Sequence, residues 1–529
     1  MSGIYLYDTT LRDGTQGAGI SFTAEEKLAV CRRLDEFGVQ YIEGGWPGSN
    51  PRDQQFFELA RQARFEHARL TAFSATRRAG TDVRKDPNLL ALLEAETPAV
   101  AIFGKSWDLH VEKTLGTTLG ENLAMIHESV ALLKAEGREV IYDAEQFFDG
   151  YKRNPAYAFE TLCAALEGGA DFLVLCDTNG GSLTNEVVDI IARVRETLVT
   201  RYGNGRSIEL GIHTHNDCGL AVANSIAAVQ AGVVMVQGTI NGIGERTGNA
   251  DLTSVIPILQ LKMGLDCVPP ANLAGLANLA RFVSELAHMI PLNSRPFVGK
   301  NAFAHKAGVH VSAVMKRPES YEHMDPALVG NQRRVLVSDL AGRSNVEFKA
   351  QELGMELGAM GLDSKGLVAE IKRLEQDGYQ FDQAEGSFRL LVERLTQRFV
   401  PRFELDSFRI TIEKDQDDKG LVQVLLKVRV GDQVELAAAE GRETVNVLAR
   451  ALHKALDGHY PELRGMRTVD FNIRVIAGHE GAPSRSRVSI ETTDGEQRWS
   501  TMGVAENVTE ACWMALADSF HYKLGHAGR

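Results

Sequence analysis

Three observations predict an α/β chain built as a closed (β/α)8 TIM barrel, followed by a helical accessory region and a C-terminal α+β domain. Over the first 262 residues, short β-branched or aromatic runs alternate with longer helix-patterned segments, the mark of a parallel βα array. Eight such runs occur, the number that closes this barrel. From Phe403 onward the pattern changes to long, alternating strands. An open doubly wound sheet is the alternative, but that fold carries a Gly-rich dinucleotide loop after its first strand, and none is found here.

The eight expected strands are IYLYD (4–8), QYIEGG (40–45), LTAFSA (70–75), AVAIFG (99–104), EVIYDAE (139–145), DFLVLCD (171–177), IELGIHTH (208–215) and VVMVQGTI (233–240). Helix logic fills the gaps. Thr23 and Glu26 form a capping box, after which Leu28, Cys31, Leu34 and Phe37 recur until Gly38. Val187, Ile190, Ile191, Val194 and Leu198 keep one apolar face, and Gly137, Gly168, Gly169 and Gly232 stand where helices should end. Prolines 269, 270, 291 and 296, with Gly299, then punctuate a helical stretch. The expected domains are therefore 1–265 (barrel), 266–400 (accessory) and 401–529 (a separate α+β domain). In the last, FRITIEK, LVQVLLKVRV, VDFNIRVIAG and SRVSIETTDG read as strands, with helices at 443–456 and 504–524, so that two related halves are conceivable.

Composition narrows the function. At 44% hydrophobic and 24% charged residues, with mean hydropathy −0.16, the chain is an ordinary globular protein rather than a disordered or fibrous one. The opening MSGIYLYDTTLRDGTQ meets Asp8 and Arg12 before any apolar run long enough for a signal peptide, and no run of about 18 apolar residues follows. A cytoplasmic protein without a membrane role is expected. Six cysteines without a C-x-x-C pair argue against a disulfide framework or a thiolate zinc site. A net charge of −13 without a basic stripe makes nucleic acid an unsuitable partner.

In such a barrel the active site forms at the carboxyl ends of the strands. Polar residues there are Arg12, Asp13 and Gln16 after strand one, Glu43 after two, Arg77 after three and Lys105 after four. Glu145 follows strand five, and Asp177, Thr178 and Asn179 follow six. His213 and His215 end strand seven, and Asn241, Glu245 and Asn249 come after eight. His213 and His215 are two apart on one strand, so both imidazoles face the same side. With Asp13 they offer two nitrogens and one carboxylate, leaving positions open for a chelating substrate. A divalent ion held there would take the keto and carboxylate oxygens of a 2-oxo acid, and the adjacent Arg12 fork suits a developing oxyanion. Mg, Mn, Co and Zn all accept this donor set. A metal-dependent aldolase or lyase would use similar ligands in reverse. Two-His-one-carboxylate iron oxygenases fit less well, because a remote Asp is not their usual spacing.

At these residues the sequence resembles the α-isopropylmalate, homocitrate and citramalate synthase family, over nearly the whole chain. LRDGTQ with Lys27 beyond it is similar to the first family signature, and LGIHTHNDCGLAVA to the second. YIEGGWPGSNP, IFGKSWDLHV, YDAEQFFDGY, CDTNGG, GTINGIGERTGNADL, HKAGVHVSAV and YEHMDPALVG look most like the citramalate synthase branch. The resemblance implies a Claisen-type acyltransferase that condenses acetyl-CoA with a 2-oxo acid, pyruvate first among them and 2-oxoisovalerate the alternative. It implies that Asp13, His213 and His215 bind the metal with Asn249 near it, and that Arg12 stabilises the reacting oxygen. Glu43, Tyr142, Glu145 and Thr178 would then line the acceptor pocket. His310, in GVH, would help deprotonate acetyl-CoA and be brought by a partner subunit, making a homodimer functional. His305 is a second candidate, with a solvent-facing histidine the other reading. Trp46, Phe73, Phe103 and Tyr142 follow successive strands and would narrow the pocket toward pyruvate, unless they only pack the rim. The C-terminal domain, 401–529, is implied to be regulatory and dimerising and to bind isoleucine or leucine as end-product inhibitor, with Gly441, Gly478, Gly481 and Ala482 in loops where a small ligand could reach backbone. Two departures stand out: Val335 lies where many relatives carry a tyrosine, for which Tyr321 is a substitute, and Gln146 lies where relatives carry an acid or histidine.

Overall fold

The computed structural model describes residues 3–203, 208–337, 342–414, 420–476 and 484–526. Eight parallel strands close a barrel: β1 (Tyr5–Asp8), β2 (Tyr41–Gly45), β3 (Arg69–Ala75), β4 (Ala99–Lys105), β5 (Glu139–Glu145), β6 (Phe172–Asp177), β7 (Glu209–Thr214) and β8 (Met235–Gly238). Strand order follows chain order, and β8 returns to β1 with Tyr5 opposite Met235 and Tyr7 opposite Gln237. Every expected strand is present, with ends that differ by a residue or two.

Alternation along each strand sorts its side chains into two layers. On β5, Ile141 belongs to the interior cluster with Tyr7, Tyr41, Phe73, Ala101, Val174 and Met235, whereas Val140, Tyr142 and Ala144 join the larger cluster between strands and helices. Between β1 and β2 the helix Ala24–Phe37 starts at the expected capping box: Thr23 accepts from Glu26 N at 3.1 Å, and Glu26 accepts from Thr23 N at 2.7 Å. It ends at Gly38, whose φ of 99° favours glycine. Lys27 is buried in this helix, where its ammonium reaches Gly44 O and Asp53. It therefore ties the helix to the β2 loop.

The first compact unit continues past the expected boundary at 265, taking in residues to Phe303 and again 324–332. The helix Leu276–Leu286 buries Leu276, Leu279, Ala280 and Val283 and packs on the helix Ala24–Phe37. An apolar stripe of this kind has to be covered, and the barrel's outer helix layer covers it.

The second unit comprises 304–323 and 333–529. A two-stranded pair, β9 (Ala304–His305) and β10 (Arg334–Val335), comes first. The helices Arg343–Glu352, Ser364–Gln376 and Glu385–Leu395 then close over Val346, Leu367, Ile371 and Phe388. Two βββα repeats follow. β11 (Glu404–Lys414), β12 (Gly420–Val430) and β13 (Gln433–Gly441) form one antiparallel sheet with the helix Thr444–Leu456; β14 (Arg467–Ile476), β15 (Arg485–Thr493) and β16 (Arg498–Ala505) form the other with Val508–His526. Two related halves are thus what the domain contains. β13 and β16 have no counterpart among the four expected runs, and the last helix begins after residues 504 and 505, which are strand. The third strand of the first repeat escapes notice because β13 is alanine-rich, a weak β pattern. Gly441 ends β13, where an added Cβ would lie 2.1 Å from the exposed Arg450 Nη2. Gly478, Gly481 and Ala482 fall outside the described residues. Among those described, no helix is long and apolar enough to cross a membrane.

Candidate active site

The turn after β1 brings the first two functional side chains to the barrel mouth. Asp8 accepts from Thr10 N (3.0 Å) and Thr10 Oγ1 (2.8 Å), and that hydroxyl accepts from Ile240 N at 2.8 Å. The turn is thereby pinned to the end of β8. Burial pushes the Asp8 carboxyl up to about 7, against the hydrogen bonds from Thr10. Arg12 leaves this turn with its Nε on Glu43 Oε1 and its guanidinium 3.8 Å above the Phe73 ring. Glu43 is fully buried and also accepts from Tyr7 OH at 2.5 Å. Burial disfavours the charged guanidinium, but Glu43 and Asp13 more than restore it, so Arg12 is a fixed cation beside the site.

Asp13, His213 and His215 are all buried, and one ligand atom from each lies within 4.8 Å of the others. His213 Nε2 is 3.2 Å from Asp13 Oδ2 and 3.2 Å from His215 Nε2, and His215 Nε2 is 3.6 Å from the same carboxylate oxygen. Burial alone would raise Asp13, yet Arg12, His213 and His215 hold it well below the usual carboxylate range. Burial and the neighbouring His213 lower His215 to about 4, which leaves it a neutral ring with a free lone pair. Asn249 donates Nδ2 to Asp13 Oδ2 at 2.9 Å, while its Oδ1 is buried with no hydrogen-bond partner. Two imidazole nitrogens and a carboxylate meeting in one buried cluster fit a divalent cation. Asp13, His213 and His215 would hold it, with the Asn249 amide beside them on Asp13.

The remaining expected residues divide. Glu145 sits at the end of β5, paired with Lys105, and Thr178 Oγ1 accepts from Gln146 N at 2.9 Å. Gln146 itself takes a left-handed φ of 61°. Trp46, Phe73 and Phe103 form one aromatic group, with Trp46 edge-on 5.8 Å from each of the other rings. Tyr142 does not join them. It is one residue out of phase with the inward positions of β5, and its ring lies against Gly104 in the layer between strands and helices. Its neighbour Asp143 takes the inward place instead. Burial and Glu43 push Asp143 up to about 7; it accepts from Gln237 Nε2 at 2.9 Å, and Gln237 Oε1 is 2.8 Å from His213 Nδ1. Sequence reading passed over Tyr7, Asp143 and Gln237, although each occupies an inward register position on its strand.

Several polar residues at strand ends prove to hold loops. Arg77 pairs with Glu121 and Glu128, both at 2.7 Å. Asp177 accepts from Ser182 N and Oγ, and Asn241 Nδ2 donates to Ala280 O and Ser284 Oγ. Arg246 forks onto Asp217 at 2.8 and 2.9 Å and reaches Thr178 O, so it ties the loops after β6, β7 and β8 together. In the second unit His310 stacks on Tyr321 with ring centroids 4.3 Å apart. His305 is not solvent-facing: its Nε2 lies 3.0 Å from Glu322 Oε1, and Arg333 donates to both oxygens of that carboxylate at 2.6 Å. Val335 is buried opposite His305 in the β9–β10 pair.

Comparison with known proteins gives a consistent set of likenesses. The HMGL-like family model matches residues 3–283, the homocitrate synthase post-HMGL domain-like model 297–378, and the LeuA allosteric (dimerisation) domain model 383–524. An (R)-citramalate synthase of Aquifex aeolicus is 50% identical over 522 residues, covering 98% of each chain. That of Geobacter sulfurreducens is 49% identical over 525 residues, 99% of this chain and 98% of the other. A probable 2-isopropylmalate synthase of Methanopyrus kandleri is 31% identical over 510 residues, 96% of each chain.

Proposed function

The chain belongs to the (R)-citramalate synthase family, and from that membership we propose that its barrel condenses acetyl-CoA with pyruvate and water to give (R)-citramalate and free CoA. The observation that carries the site assignment is the buried meeting of Asp13, His213 and His215 beside the Arg12 guanidinium. When bound, a divalent cation (Mn, Mg, Co or Zn) supplies Lewis acidity toward the oxygens of the 2-oxo acid. Arg12, braced by Glu43 and Phe73, presents its free N–H groups to the alkoxide that develops on the attacked keto oxygen. Glu145 and Thr178 at the ends of β5 and β6 bound the acceptor side, and Trp46, Phe73 and Phe103 restrict its apolar end.

His310 is the proposed base for the acetyl-CoA methyl, in keeping with a histidine's ability to exchange protons near neutral pH. The C–H electron pair becomes the enolate, the enolate carbon bonds to the keto carbon, and water then cleaves the thioester to release the CoA thiol. Loss of the thioester makes the step effectively one-way. The paired βββα repeats support a homodimer whose C-terminal domain takes a small amino acid, isoleucine or leucine, as end-product effector. The reaction thus feeds branched-chain amino-acid synthesis, and the cytoplasm is the compartment that fits.

Thiol release measured with pyruvate, 2-oxobutyrate and 2-oxoisovalerate, before and after chelation, tests the assignment. Fastest release with pyruvate and loss of release on chelation are expected. A preference for 2-oxoisovalerate would move the chain to isopropylmalate synthesis, and metal-independent release would overturn the site.

A further inference from the structure

His213 has two nitrogens and two different neighbourhoods. Its Nε2 faces Asp13 and His215, while its Nδ1 lies 2.8 Å from Gln237 Oε1 on the adjacent strand β8. Gln237 in turn gives its Nε2 to Asp143 Oδ1 on β5 at 2.9 Å. All three side chains are buried inside the barrel, with Gln237 wholly inaccessible. A neutral imidazole carries one N–H and one lone pair, so the atom bonded to Nδ1 decides which end of the ring can bind a cation. A glutamine amide is symmetrical in shape and could offer either end. If its NH2 faced Nδ1, the ring proton would move to Nε2 and stand in the place of the ion. The carboxyl oxygen of Asp143 accepts the amide hydrogen, and this holds the amide oxygen toward His213.

We propose that Asp143 and Gln237 are positioning residues that lock His213 in its Nδ1–H form and thereby set the affinity of the Asp13–His213–His215 site for a divalent cation. This rests on the metal reading above, and the test separates the two. Mn2+ binding to the full-length protein is followed by electron paramagnetic resonance of free Mn2+, alongside thermal unfolding of each variant. Removal of a partner that orients a ligating histidine typically weakens binding about 10–100-fold, and Gln237→Leu is expected to fall in that range. Of the two isosteric variants, Asp143→Asn supplies an amide that donates as well as accepts and so no longer dictates which way Gln237 turns, and Gln237→Glu sets two carboxyl groups against each other; each should lose about tenfold, at the lower end of the same range. The double variant D143N/Q237E reverses the donor and acceptor between the two positions, and the carboxylate introduced on β8 can still accept from His213. It should recover to within about threefold of the parent, as a direct pairwise coupling requires.

Parent-like Mn2+ affinity in Gln237→Leu overturns the relay. Losses in both single variants that the double variant does not relieve also overturn it, and assign these residues to packing. The isosteric set decides the question even where Gln237→Leu fails to fold. His213→Ala is the control: it must abolish binding. A parent protein that takes up no Mn2+ defeats the metal reading itself, a result distinct from either outcome above.

Discussion

Glu43→Gln isolates the charge that holds Arg12 in place. Glu43 has no exposed side-chain surface and Arg12 has 12%, so solvent screens the pair little. In the variant, the amide oxygen still accepts from Arg12 Nε, and the Tyr7 hydroxyl turns to accept from the new NH2. Shape and bond number survive while the ionic part is lost. A hydrogen bond to a charged group contributes about 1–2 kcal/mol more than a neutral one, and two are affected, so about 2–4 kcal/mol of local stability should go. Hydrogen exchange of β1 and β2 peptides in the full-length protein reads this directly, because local opening need not coincide with global unfolding in a chain of two units. At about 1.4 kcal/mol per factor of ten, exchange should accelerate roughly 30-fold to 1,000-fold. Loss of one preorganised oxyanion donor costs about 10²–10³ in kcat, and an Arg12 no longer braced should approach that loss with little change in KM for acetyl-CoA. Unchanged exchange together with kcat within about threefold of the parent would refute the reasoning, and Glu43 would then be a passive member of the barrel core.

Asp8 gives a pH signature with a defined sign. Its folded carboxyl is pushed up to about 7, so its contribution is fully present below about pH 4 and is lost as pH rises through about 7, at most about 4 kcal/mol over three units. Asp8→Asn should flatten the fall in melting temperature over that window, and an unaltered pH profile would count against the shift. Chelation should lower the melting temperature of the parent protein but not of His213→Ala, since an ion at 100 times its Kd stabilises by about 2.7 kcal/mol; equal responses would remove the ion from this site. Trp46→Leu opens the aromatic group beside Arg12 and should raise the 2-oxobutyrate to pyruvate ratio of kcat/KM by about tenfold or more, the worth of one methylene in an apolar pocket. A ratio that does not move would reduce Trp46 to rim packing. Truncation after residue 400 strips β16 and the last helix from the helix Glu385–Leu395, where Ser387 Oγ accepts from Met502 N at 2.8 Å and Arg394 pairs with Asp518. Size-exclusion chromatography should therefore show aggregate, and a monodisperse, active fragment would contradict that packing.

The barrel was legible because its periodicity is enforced twice: each strand must be apolar on the helix side, and each helix must be apolar on the strand side. The ion site was legible for a related reason, since two histidines at spacing two on a buried strand can only share a face. The same rule, applied one residue further, separates what was missed from what was seen. On β5 the alternation that puts Ile141 and Asp143 inside the barrel necessarily puts Tyr142 outside it, although the two are adjacent in sequence and Asp143 is the nearer to the strand's carboxyl end. On β8, Met235 is in the interior cluster, so Gln237 must be inward as well, and a glutamine in that place has to find partners or cost the fold its desolvation. Asp143 and Gln237 were therefore present in the sequence as a contradiction, polar residues at interior positions that Ile141 and Met235 mark as apolar. What the sequence lacked was the pairing, because β5 and β8 are not neighbours and only barrel closure brings an amide of one against a carboxyl of the other.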